Sequence, residues 1–213
     1  SGQWDYVEPT MFGYAAAKVI ESFYEFNISG RDRIIAQFHE WMTGTGVLYL
    51  KKHAPWISTS FTTHATVLGR CIAGNNRPLY GKMESYNPIQ VSREFNVVAK
   101  QSLEKTSAAE ADVFTAVSEI TGRECSHFLG KPVDIVTPNG FEDSFVPGED
   151  TFDTKRAAAR ERLIKVAEAI LGYSLPKDCV LIANSGRYEF RNKGVDIFID
   201  SLGELKKKDK LRK

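Results

Sequence analysis

Cysteine is scarce in this chain. Three residues in 213, Cys71, Cys125 and Cys179, are spaced 54 positions apart. That is neither a disulfide framework nor the close-set ligand pattern of a zinc site, so no metal is expected on this count. The cysteines read as reduced thiols of a cytoplasmic protein. Charge of one sign is lacking too, with 28 Lys plus Arg against 27 Asp plus Glu. Such a balance gives no global pull toward nucleic acid or an anionic membrane, and neither is expected as a partner. An anion site, if present, has to be local. No apolar run approaches the roughly 18 residues of a membrane helix. No basic segment followed by an apolar one opens the chain, so no secretory signal is read, and Ser1-Gly2 looks like a tag remnant. Repeats and low-complexity tracts are absent as well.

What is present is an alternation of strands and helices. Strands are expected at 33–38, 56–62, 112–117, 133–137 and 180–183. Helices are expected at 9–26, 43–52, 89–109 and 119–129, with Ser118 placed to cap the last of these. The stretch 69–88 carries Gly74, Asn75, Asn76, Pro78 and Pro88 and reads as a loop. Residues 141–154, acidic and poor in apolar side chains, read as a linker. Beyond it, Ala159, Leu163, Val166 and Ile170 mark a helix face with Gly172 as its stop, and Val195, Phe198, Ile199 and Leu202 mark another. The alternation predicts an α/β fold with a mostly parallel sheet covered by helices on both faces. The second half holds one βα unit and a preceding helix, too little for a core of its own, so the chain reads as truncated.

The strongest chemical signal is "NSGRYEFRNKGVDIF" at 184–198, between an expected strand and an expected helix. Ligands of open parallel sheets bind outside the carboxyl ends of the strands, and a helix N-terminus adds backbone N–H groups. Gly186 permits a sharp turn. Arg187 offers a fork of donors and Lys193 a compact charge, a pair suited to a diphosphate. The alternative is a pair of solvated cations, with Arg187 bound to Glu189. A second signal is "FTTHATVLGR" at 61–70, which places His64 and Arg70 where a strand should stop.

The segment "GRYEFRNKGVDIF" resembles the loop of retaining glycosyltransferases of the two-domain GT-B architecture. Its Glu-Phe-x-Asn-Lys-Gly form is similar to that of the regulated, eukaryote-type glycogen synthases, glycosyltransferase family three. "AQFHEWMTGTG" at 36–46, "FTTHATVLGR", "VFTAVSEIT" at 113–121 and "DIVTPNGF" at 134–141 agree in family order. The resemblance implies a Rossmann-like GT-B fold, here incomplete. Residues 1–140 would belong to the N-terminal Rossmann-like domain and 141–154 to a crossover. Residues 155–213 would open the C-terminal nucleotide-sugar-binding domain.

It also implies an activity: transfer of glucose from UDP-glucose to the non-reducing 4-hydroxyl of an α-1,4-glucan, with retention and without a cofactor. The donor would lie in a cleft between the two domains. Arg187 and Lys193 would hold its diphosphate, countering the charge that builds on the departing UDP. His64 would sit beside the donor glucose as the catalytic-site histidine; otherwise it is a core histidine satisfied by backbone. Asn139 would lie near the sugar or serve only the turn of Pro138 and Gly140. Glu40 would bind a glucan hydroxyl, and Trp41 would stack on a sugar or pack in the core. Arg70 would reach the same cleft or steady the loop behind it. His53 and His127 fit no pattern and read as surface residues.

Two family features are not found here: no glycine-rich loop precedes residue 30, and the chain stops before the region in which the resemblance places a pair of glutamates seven residues apart. The chain by itself is therefore expected to transfer no glucose. UDP against ADP, allosteric control and homo-oligomerisation are left open. Other GT-B nucleotide-sugar transferases, or a non-catalytic module that binds glucan or a protein, stand as alternatives.

Overall fold

A computed structural model describes residues 4–28, 30, 32–191 and 193–207. Ser1-Gly2, Asn192 and the charged tail from residue 208 lie outside them. The chain divides into two compact units, Ser1–Asn139 and Gly140–Lys213.

The first unit is built on four parallel strands, β1 (Ile35–His39), β2 (Ser58–Thr63), β3 (Val113–Ala116) and β4 (Ile135–Val136), ordered β1-β2-β3-β4. Parallel neighbours need a crossover on every connection. After α1 (Val7–Asn27), α2 (Gly44–His53) joins β1 to β2 and α7 (Glu119–Phe128) joins β3 to β4. Between β2 and β3 run α3 (Val67–Gly74), α4 (Leu79–Lys82), α5 (Pro88–Glu94) and α6 (Val98–Glu110). The α/β fold with a parallel sheet flanked by helices is the one the alternation predicts.

Register explains why the sheet holds. Phe38 pairs with Phe61, and Phe61 with Phe114. The Phe61 and Phe114 rings stack at 5.9 Å, and both are wholly buried with Val47, Leu50, Ile57 and Leu129. Each such side chain contributes about 1.5–3 kcal/mol by leaving water. Thr62 and Thr115 share a hydroxyl–hydroxyl bond of 2.8 Å inside the sheet. With the strands in register, His39, Thr63, Ala116 and Val136 end along one edge.

Several expectations are corrected. The expected loop at 69–88 is largely helical, because Leu68, Ile72, Leu79, Met83 and Val91 close a second core with Phe128. The single helix expected at 89–109 is two. Asn96 takes a left-handed φ of 54°, and the Val97 N–H caps the carbonyl of Ser92 at 2.8 Å, which stops α5. The acidic linker expected up to 154 already contains the start of α8 (Glu149–Leu171), since Glu149 and Asp150 complement the positive end of the helix. Gly172 ends α8 in the left-handed conformation, φ 76°, as its position suggests.

Among the described residues of the second unit, Val180–Ala183 is not a strand. No described strand lies beside it to pair with. The guanidinium of Arg160 instead meets the carbonyls of Lys177, at 3.1 Å, and Cys179. The unit's other long helix is α9 (Val195–Lys207). No described helix is long and apolar enough to cross a membrane.

Candidate functional site

The carboxyl edge of the sheet is where the motif residues gather. Glu40 follows β1 directly and holds φ 65° and ψ 162°, a region that almost only glycine occupies. Such a backbone costs about 1–3 kcal/mol and persists only where its surroundings fix it. Here the fixing groups are visible. The Glu40 N–H donates to Thr62 O at 2.9 Å, extending the ladder by one rung. Its Oε1 accepts the backbone N–H of His64 at 2.7 Å and of Ala65 at 3.1 Å. Its Oε2 lies 3.8 Å from the Arg70 guanidinium. The strained turn thus aims one carboxyl at the loop that carries His64.

The ring of His64 is engaged as well. Its Nε2 is 3.0 Å from Nδ1 of His39, with the rings tilted by 42°. His64 is half-buried at the sheet edge, not sealed in the core. Its backbone is satisfied by a carboxyl and its ring by a second imidazole.

Two further carboxyls close on the same loop. Glu104 of α6 is wholly buried, and its Oε2 accepts the N–H of Val67 at 3.0 Å. Burial pushes its pKa up to about 8, and the neighbouring carboxyls of Glu40 and Glu124 add to the rise. Glu124 of α7 accepts the hydroxyls of Thr66 at 2.8 Å and Tyr80 at 2.9 Å. Burial and that bond push the Tyr80 phenol up to about 12. Thr66 caps α3 by accepting the N–H of Gly69 at 3.0 Å. Gly69 has to be glycine-sized, since a Cβ there would run into Oε2 of Glu124.

The N–H groups of His64, Ala65, Val67 and Gly69 are therefore all taken by protein oxygens. A phosphate would find these donors occupied and carboxyls in front of it. The edge suits a neutral, hydroxyl-rich ligand better than an anion.

Glu104 and Glu124 escape sequence reasoning because α6 buries Gln101, Glu104, Ser107 and Ala108, and α7 buries Thr121 and Gly122 beside Glu124, neighbours with little apolar signal. Of the other expected residues, Arg70 comes together with Glu40, as described. Trp41 is half-buried with the Lys100 ammonium 5.3 Å over its ring. Asn139 is exposed in the segment after β4. His53 is exposed and stacks on Tyr49 at 4.6 Å. His127, read as a surface residue, is half-buried and bonded to the carbonyl of Tyr86 at 2.9 Å. Its place on α7 beside the second core accounts for the difference.

In the second unit, residues 184–191 and 193–194 are irregular and lead into α9. The chain folds back on itself here: a Cβ added to Gly186 would lie 3.9 Å from Cδ of Lys193. The Lys193 N–H donates to Glu189 O at 2.9 Å, and Gly194 takes φ 64°. Arg187 and Lys193 are thus side chains of one turn, both exposed. Arg187 pairs with Glu189 at 3.0 Å, the partner foreseen from sequence. An exposed pair of this kind contributes about 0–1 kcal/mol, so little opposes its exchange for a stronger anion. Among the described residues, no group of three or more His, Cys, Asp or Glu side chains is placed to hold a metal ion.

The glycogen synthase family model matches residues 5–213. The chain is 37% identical over 204 residues to a glycogen [starch] synthase of Dictyostelium discoideum, covering 94% of this chain and 23% of that protein. It is 38% identical over 176 residues to the liver glycogen [starch] synthase of Rattus norvegicus, covering 81% of this chain and 25% of that protein. A glycogen [starch] synthase of Caenorhabditis elegans is 33% identical over 202 residues, covering 93% of this chain and 30% of that protein. The chain therefore spans 23–30% of the length of these relatives. The match runs through the strained turn at Glu40, the His64 loop and the Arg187–Lys193 turn alike, and the chain belongs to the glycogen synthase family.

Proposed function

We propose that the chain serves a retaining glucosyltransferase that moves glucose from UDP-glucose to the 4-hydroxyl at the non-reducing end of an α-1,4-glucan. Arg187 and Lys193 hold the donor diphosphate and stabilise the charge that develops on the leaving UDP. His64 orients the donor hexose, a positioning role in which small displacements carry large rate costs. Glu40 braces the His64 loop, and Asn139, Trp41 and Arg70 serve as sugar contacts. The chain on its own transfers no glucose. Its three free thiols suit a reducing cytoplasm.

The observation that carries this proposal is the family match over nearly the whole chain. Geometry supports the division of roles. The sheet edge has its N–H donors filled by carboxyl and hydroxyl oxygens, which favours a neutral sugar there. The two cations of one turn favour an anion.

Glucose incorporation from labelled UDP-glucose into glycogen tests it. A full-length protein that contains this chain is expected to show incorporation, and the 213-residue chain none. Glucan binding by the full-length protein with no binding of a nucleotide sugar would replace the transferase with a non-catalytic module.

A further inference from the structure

His39 stands outside every role assigned so far, yet it is the group that touches the ring of His64. Nδ1 of His39 faces Nε2 of His64 at 3.0 Å. Two imidazole nitrogens at that distance make one hydrogen bond, so one carries the proton and the other offers its lone pair. The proton positions of the two rings are thereby coupled. If Nδ1 of His39 holds the proton, neutral His64 carries its own on Nδ1; if Nε2 of His64 holds it, neutral His39 carries its own on Nε2.

Local structure makes this contact durable. His39 ends β1, in register with Thr62, and its carbonyl accepts the hydroxyl of Thr43 at 2.7 Å. The next residue is the strained Glu40, whose carboxyl takes the backbone N–H of His64. One turn of chain therefore holds His64 twice, by backbone through Glu40 and by ring through His39. An exposed imidazole without such a partner would rotate about its ring torsion and exchange tautomers freely.

We propose that His39 is a positioning residue for His64, fixing the orientation and tautomer that its ring presents at the sheet edge. This rests on the transferase activity proposed above, in which His64 orients the hexose.

Nitrogen-15 spectra of the imidazole rings in the 213-residue chain read the tautomer directly. In His39→Ala, the His64 resonances are expected to move from one dominant tautomer toward the mixed values of a free imidazole. In the full-length protein, His39→Ala is expected to lower kcat by about 10- to 100-fold with KM for UDP-glucose within about twofold. His39→Asn, whose amide can occupy the place of Nδ1, is expected to recover most of that loss. Unchanged His64 resonances in His39→Ala, or an unchanged kcat in His39→Ala while His64→Ala is inactive, would overturn the inference and leave the transferase role of His64 standing. Full activity in His64→Ala would overturn that role itself.

Discussion

The carboxyl of Glu40 accepts the backbone N–H of His64 at 2.7 Å across 24 residues of sequence. One strand end is tied to the loop after the next, and the tie is made by a residue whose own backbone is strained. A carboxyl that accepts two main-chain N–H groups contributes more than a neutral hydrogen bond, because the acceptor is charged or strongly polar.

Removing that brace has a readable cost. Glu40→Ala is expected to lower unfolding free energy by about 1–3 kcal/mol, since two half-buried N–H groups lose their acceptor. Urea unfolding measures the loss. Hydrogen exchange should localise it to the amides of His64 and Ala65.

Gly69 and Gly74 of α3 should respond in opposite senses to alanine. At Gly69 a Cβ meets Glu124 and Thr66 in a buried site, and Gly69→Ala is expected to cost about 1–3 kcal/mol. Nothing lies within 4 Å of a Cβ at Gly74, and its φ is not left-handed. Gly74→Ala is expected to be neutral or to stabilise by up to about 1 kcal/mol. Thermal unfolding of both variants decides the comparison.

Glu104 gives the molecule a pH dependence of known sign. Its carboxyl is raised from 4.5 to about 8 on folding, chiefly by burial. The native state therefore holds this proton where the unfolded state has released it. Stability from this group is greatest below pH 4.5 and falls as pH rises toward about 8. Glu104→Gln, which mimics the neutral acid, is expected to flatten that part of the profile. Urea unfolding of both proteins at about pH 5 and about pH 8 measures the difference.

How legible this was in sequence differs from residue to residue. The alternation of strands with helices exposed the parallel sheet, whose buried positions are held by Ala36, Phe38, Phe61 and Phe114. Ser118 and Gly172 marked helix ends through local chemistry that needs no partner elsewhere. The break between α5 and α6 was missed because the apolar spacing of Val91, Phe95 and Val98 passes straight over Asn96. Residues 69–88 misled because the breakers fall at helix ends: Gly74 and Asn75 close α3, Pro78 stands before α4, and Pro88 opens α5. At the site, His64, Glu40 and Arg70 were singled out by motif and do come together. Glu104 and Glu124 were invisible, since a buried carboxyl reads in sequence like any solvated one until its partners are in place.

The cations of the loop before α9 carry the central claim. Calorimetric titration of UDP-glucose into a full-length protein containing this chain tests it most directly, with Arg187→Ala and Lys193→Ala as variants. The account predicts binding in the parent, and at least about a tenfold weakening in each variant, equivalent to about 1.4 kcal/mol. Unchanged affinity in both variants would contradict it.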